Sequence, residues 1–366
     1  NESALPSSFH GSRGGADGVF LLRPLAKRSK GKREIRGEEV VVLSPEKIEA
    51  SHTLKPIPKT VHIGHLRSDL KPVLSVNSGD VVTVETYTAL PPEEYEAAGL
   101  KPEMIPQTLR DIFREVKDKG PGPHVLTGPI EIQGAEPGDM LEVHIHEIAL
   151  TLPFGYNRIL VGSGALPDDF PYNSTTLLWI DLNKMTSEIA PGIVIPLRPF
   201  FGTLGVAPPP AMGRVNSLRP GSYGGNIDNK ELAAGTVLYL PVHVKGALFS
   251  VGDAHAIQGD GEVNLTGLET GARGTFQFFV RKKKRIRWPR AETPMHFIAM
   301  GLNEDLDLAA QMAVREVIDF LGEAKGIDRE DAYRIASLAV DLHVTQVVDG
   351  VKGIHAMIPK GIFGGS

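Results

Sequence analysis

The sequence predicts a mainly β protein: a β-sandwich or jelly-roll-like body with a smaller C-terminal α+β part. Three observations predict it. Apolar and polar residues alternate at period two over 81–86, 140–150, 236–244, 262–269 and 274–280. Turn-forming runs bracket these segments, among them Asn77-Ser78-Gly79-Asp80, Pro137-Gly138-Asp139 and Gly259-Asp260-Gly261. Beyond residue 300 the alternation gives way to apolar residues three and four apart, the helical spacing.

The abundance of punctuation agrees: 40 glycines and 28 prolines in 366 residues suit many short strands joined by turns better than long helices. One helix is expected within the β body near 106–117, where Leu109, Ile112, Phe113 and Val116 share a face. In the C-terminal part Leu306, Ala309, Ala313, Val317 and Phe320 mark a helix that Gly326 can stop. A second helix is expected after Asp328, a suitable N-cap, with Ala332, Ile335, Ala336 and Ala339 inward; a β segment over 344–358 follows. The expected organisation is therefore a basic, flexible arm over 1–36, a β-rich catalytic body over 37–300, and an α+β part over 301–366 packed on that body. The arm's cations, Arg23, Lys27, Arg28, Lys30, Lys32, Arg33 and Arg36, read as a solvated run.

Several classes are excluded or disfavoured. The chain has no cysteine, which removes disulfides, thiolate metal sites and a cysteine nucleophile. A net charge of −5 gives no general attraction to nucleic acid or anionic lipid, so neither is expected as a partner. The most apolar stretch, 199–213, is too short and too rich in proline to span a bilayer. The basic run 281–287 has no aromatic platform beside it and reads as a solvated edge. Cytoplasmic location is the default expectation, and export after loss of a leader stays open because residue 1 is Asn. HExxH, the P-loop and the GxSxG elbow are all missing.

The richest stretch for chemistry is 252–262, GDAHAIQGDGE. On a strand, Asp253 and His255 point to one face, because side chains alternate. A carboxylate and an imidazole on one face make part of a site for zinc or a similar cation. If Asp260-Gly261 were a two-residue hairpin turn, Glu262 would share that face but lie roughly 13 Å from His255. In 220–228, PGSYGGNID, the glycines allow close backbone approach, and Asn226 and Asp228 carry oxygens suited to a hard cation. His124, just before a strand, can act as ligand or acid–base group, and Glu85, late in its strand, can face a cavity. His144 and His146 are two apart and could pair on a metal, but the exposed face of an amphipathic strand explains them better.

These segments together resemble the acetamidase/formamidase family. The resemblance is carried by 124–145 (HVLTGPIEIQGAEPGDMLEVHI), 220–263, with GGNID and PVHVKGALFSVGDAHAIQGDGEV, and 344–360 (VTQVVDGVKGIHAMIPK). It spans most of 52–360; residues 1–50 lie outside it, and the stretch 88–120 reads as an insertion. The resemblance implies hydrolysis of short aliphatic amides such as formamide or acetamide, a metal-assisted site and a homodimer or higher homo-oligomer. It places metal binding on Asp228, Asp253 and His255, a catalytic role on Glu262, Glu85 and His124, and substrate contact on Asn226 and Gln258. The expected cofactor is a divalent metal, zinc foremost, with a second ion such as calcium admitted. Two rival readings remain at this point: a ligand-binding β-sandwich without turnover, and a hydrolase of a cyclic or larger amide.

Overall fold

The computed structural model describes residues 48–363. The expected basic arm over 1–36 lies outside the described residues. Two large sheets make the body. A nine-stranded sheet runs in the order His52–Leu54, Val81–Thr86, Ala272–Arg281, Met140–Leu150, Thr236–Pro241, Arg290–Glu292, His296–Asn303, Lys352–Pro359, Asp341–Gln346. An eleven-stranded sheet has as its spine Ile193–Pro196, Thr186–Ala190, Ser174–Asp181, Phe154–Ile159, Glu269–Thr270, Phe249–His255, Phe200–Gly205, Gly224–Asn226. Val125–Ile132 also pairs with Phe249–His255, and carries Val61–Ile63 and Leu74–Val76.

The period-two pattern becomes a sandwich because each sheet turns one apolar face to the other. Val82, Val84, Leu141, Val143, Ile145, Phe276 and Phe278 come from the nine-stranded sheet; Leu126, Ile130, Phe201, Leu204, Phe249 and Val251 answer from the other. Phe249 is the knot, with its ring centroid 6.0 Å from Phe276 and 5.1 Å from Phe278.

The helix expected near 106–117 is Gln107–Glu115, with Leu109 and Ile112 buried. The C-terminal helices are Leu306–Lys325 and Arg329–Ala339. Gly326 ends the first in the left-handed region at φ 67°, where glycine carries no Cβ penalty. The Asp328 carboxylate caps the second, accepting from the backbone N–H of Glu330 and Asp331 at 3.0 Å. Ala309, Ala313, Val317 and Leu321 pack against Ala299, Ile354, Ala356 and Ile358. The contact is so close that a Cβ on Gly301 would strike the Ala309 carbonyl oxygen and come within 2.5 Å of Ala313 N.

Two expectations need correction. Residues 262–269 are not a strand: the segment is a turn-rich loop that becomes extended only at Glu269–Thr270. The alternation there reflects polar side chains packed within a loop, Asn264 against Asn157 for example. The β segment over 344–358 is two strands, Asp341–Gln346 and Lys352–Pro359, paired antiparallel, and both extend the nine-stranded sheet. The basic run behaves as expected at its start: exposed Arg281 and Lys282 pair with Glu142 and Asp139 at 2.6 Å. Among the described residues, no helix is long and apolar enough to cross a membrane.

Candidate active site

The strand Phe249–His255 is buried along its whole length. Phe200–Gly205 pairs with one of its edges. The other edge pairs first with Val125–Ile132 and then, at Ala254 and His255, with Glu269–Thr270. Asp253 sits at the change of partner, with φ of 57°. Asp228 (52°) and Glu262 (47°) are also left-handed. A non-glycine residue in that region carries roughly 1–3 kcal/mol of strain, held only where surrounding packing over-determines it. That three carboxylates of one group share it points to a position the fold is built to enforce.

The side chains converge. His255 Nε2 is 3.0 Å from Glu269 Oε1, 3.5 Å from Asp253 Oδ1 and 4.0 Å from Asp228 Oδ1. Donor atoms of Asp228, His255 and Glu262 all lie within 4.8 Å of one another, as do those of Asp253, His255 and Glu269. His124 Nε2 approaches the other carboxylate oxygen of Asp253, Oδ2, to 3.7 Å. All are buried, and Asp228 Oδ1, Glu262 Oε2 and Asp349 Oδ2 have no hydrogen-bond partner.

Such crowding shifts protonation strongly. Burial, then repulsion from Asp253, raises the Asp228 carboxyl to about 6. Burial raises Glu269 to about 8, with His255 opposing and Asp253 adding to the rise. Glu262 is pushed well up by burial and Asp228, and Asp349 by burial, Asp228 and Glu262. Asp253 goes the other way: burial would raise it, but His124 and His255 together hold it below the usual carboxylate range. His255 is raised because Glu269 and Asp253 outweigh its own burial.

Of the residues expected to meet, Asp228, Asp253, His255, Glu262 and His124 do. Glu262 arrives closer to His255 than a tight hairpin would allow, because no hairpin forms. Gly261 instead bridges to Gln346, with Gly261 N donating to Thr345 O at 3.1 Å, and the wide loop folds Glu262 back. Glu85 is not brought in. It stands with Thr83 on the side of its strand opposite the buried Val82, Val84 and Thr86, in register with Arg273. Asn226 and Gln258 serve the group from within. Asn226 Nδ2 donates to Asp228 Oδ2 at 2.6 Å and its Oδ1 accepts from Thr203 Oγ1 at 2.7 Å. Gln258 Nε2 donates to the Asp228 carbonyl at 2.9 Å, and its Oε1 lies 2.8 Å from His255 Nδ1, which leaves His255 Nε2 aimed at the carboxylates. Both residues orient the group, and Gln258 also lines the cavity at Glu262. His144 and His146 lie outside the group, and His144 Nε2 pairs with Glu142 Oε1 at 2.6 Å.

Glu269 and Asp349 were not anticipated. Glu269 enters through register, opposite His255 across the strands, and Asp349 through the turn between the last two strands. Both fall inside or beside segments that carry the family resemblance, which was the only available signal.

The donor set fits a divalent cation. Oxygens dominate with one imidazole nitrogen, three carboxylate oxygens are orphaned, and so many buried carboxylates need a cation or retained protons. Gly202 leaves the required space: a Cβ there would collide with Asp228 Oδ1, lie 2.5 Å from Asp253 Oδ2 and 3.1 Å from His255 Cε1. A cavity of about 450 Å³ reaches Glu262 and Gln258 and is walled by Asn157, Leu178, Ile195 and Leu268. It offers a small, partly apolar approach to the group.

The acetamidase/formamidase family model matches residues 53–219 and 214–365. A solved acetamidase from Bacillus halodurans is 31% identical with a TM-score of 0.72, and the match covers 85% of this chain and 98% of that one. A formamidase of Methylophilus methylotrophus is 27% identical over 300 residues, 62% of this chain and 73% of its own length. An acetamidase of Mycolicibacterium smegmatis is 28% identical over 217 residues, 43% of this chain. The chain thus spans about half the length of that acetamidase, 53%.

Proposed function

The chain belongs to the acetamidase/formamidase family, and from that premise we propose that it hydrolyses a short aliphatic carboxamide to carboxylate and ammonia with the help of a divalent ion. The observation that carries the reading is the buried, left-handed carboxylate group around His255, with orphaned oxygens on Asp228 and Glu262 and a cavity at Glu262.

Asp228, Asp253 and His255 are the proposed ligands, with Glu269 beside them. A divalent ion held by these residues would supply the two needs of amide hydrolysis, a more acidic water and a polarised carbonyl. The protein's own groups supply the rest. Asn226 and Gln258 hold Asp228 and His255 in one orientation, so the donors are preorganised. Glu262, buried and with one oxygen free, takes the proton of the attacking water and returns it to the departing nitrogen. His124, its Nδ1 held at the Ser217 carbonyl and hydroxyl (3.2 and 3.1 Å), turns Nε2 toward the group as the proposed hydrogen-bond partner of the reacting amide. The partly apolar walls near Glu262 suit a small acyl group.

The test is ammonia release from formamide, acetamide and a series of longer and cyclic amides. Wild type is expected to act on the short linear members. His255→Ala should lose both bound metal and turnover while keeping the β-sheet circular dichroism. Wild type that binds amides and releases no ammonia from any of them would make the protein a binder instead.

A further inference from the structure

A second set of donors converges where the loop after Phe249–His255 meets the last two strands. His343 lies directly opposite His355 in the antiparallel register, with ring centroids 5.1 Å apart. His343 Nδ1 is 3.1 Å from Asp260 Oδ2. Donor atoms of Asp260, His343 and His355 all fall within 4.8 Å of one another. His355 is 1% exposed; its Nδ1 is 2.9 Å from the Thr345 hydroxyl, and its Nε2 is buried with no partner. Buried imidazole nitrogens are normally satisfied, so this one asks for a ligand.

We propose that Asp260, His343 and His355 form a second metal site, for a divalent transition ion of the zinc or cobalt class, separate from the carboxylate group around His255. The donor chemistry differs between the two: two imidazoles and one carboxylate here favour a borderline ion over calcium or magnesium. Nδ1 of His355 donating to Thr345 leaves Nε2 with a lone pair to offer. Two nitrogen or oxygen ligands on a tetrahedral zinc stand about 3.3 Å apart, so closure of the widest pair takes up to about 1.5 Å. His343, with 41% of its side chain exposed, is free to rotate out of its stack and make it. In the ion-free protein Lys230 Nζ supplies the positive charge, 2.9 Å from Asp260 Oδ2. The ion displaces it toward solvent.

Position suggests the purpose. The loop that presents Glu262 is already tied to the 341–346 strand by Gly261 N to Thr345 O and Val347 N to Gly261 O, each 3.1 Å. An ion linking Asp260 to His343 and His355 staples the same loop to both strands. No residue is shared with the carboxylate group, so the ion count here is independent of the hydrolase reading.

The full chain, stripped with chelator and dialysed against zinc chloride, reads it out. Wild type should hold one zinc equivalent more than His343→Ala, a change at a half-buried side chain outside the core. Zinc should raise the unfolding temperature of wild type more than that of the variant. Lys230→Met, which removes the competing cation, should bind this extra equivalent severalfold more tightly. Cobalt substitution should give visible bands that His343→Ala weakens. Equal zinc content in wild type and His343→Ala overturns the proposal, and so does an extra equivalent whose affinity Lys230→Met leaves unchanged.

Discussion

Replacing Gly202 by alanine probes the carboxylate group with one methyl. Gly202 lies on the strand paired with Phe249–His255, and its carbonyl accepts from the backbone N–H of Ile227 and Asp228 at 2.9 and 3.1 Å. The backbone is therefore pinned and cannot retreat. The new Cβ would lie 2.5 Å from Asp253 Oδ2, closer than the ordinary contact by about 1 Å, and would overlap Asp228 Oδ1 as well. Overpacking of this kind costs about 1–3 kcal/mol, offset by about 0.4–1 kcal/mol from the stiffer unfolded chain. The net loss of about 1–2 kcal/mol corresponds to a few degrees in unfolding temperature. Function should suffer far more than stability, because a shift of about 1 Å in a catalytic group can cost roughly 10²-fold. Ammonia release, metal content and thermal unfolding should be compared with Gly361→Ala, where a Cβ meets nothing within 4 Å. A Gly202→Ala protein with wild-type metal content and turnover would refute the assignment of this group as the site.

Two further outcomes follow from the same geometry. Because Glu269 and Asp228 keep their protons up to about pH 8 and about pH 6, the folded state binds more protons than the unfolded chain across that range. Stability of chelator-treated protein in urea should therefore be greatest near pH 4–5 and fall as pH rises toward 8, by at most about 1.4 kcal/mol per pH unit for each retained proton. Added metal should flatten the profile, and a rise in stability over the same interval would contradict it. Gly301→Ala should destabilise by roughly 3 kcal/mol or more, since the methyl meets helix backbone at Ala309 and Ala313 with no flexible side chain to yield; an unchanged denaturation midpoint would mean the helix does not sit this close.

What was legible in the sequence was whatever depends on local spacing. Asp253 and His255, two apart on a strand, meet as alternation requires, and Asp328 and Gly326 punctuate the last helices as their chemistry dictates. Register and loop path were not legible. Glu269 reaches the group only because it pairs with His255 across a loop, and period two says nothing about which strands are neighbours. A tight turn would set Glu262 too far away for the same reason: a Gly-Asp-Gly run signals one, but contact with Thr345 and Gln346, distant in sequence, holds the loop open. Glu85 illustrates the converse, since a carboxylate late in a strand has two faces and only the packed sandwich selects one.

If the carboxylates around His255 work by sharing a divalent ion, turnover must follow metal content. Ammonia release from formamide and acetamide should be measured on one preparation as purified, after chelation, and after zinc is restored, with metal content determined each time. Loss of turnover on chelation and its recovery in step with rebound metal is the predicted result. Turnover that persists at full rate with no metal bound would contradict it.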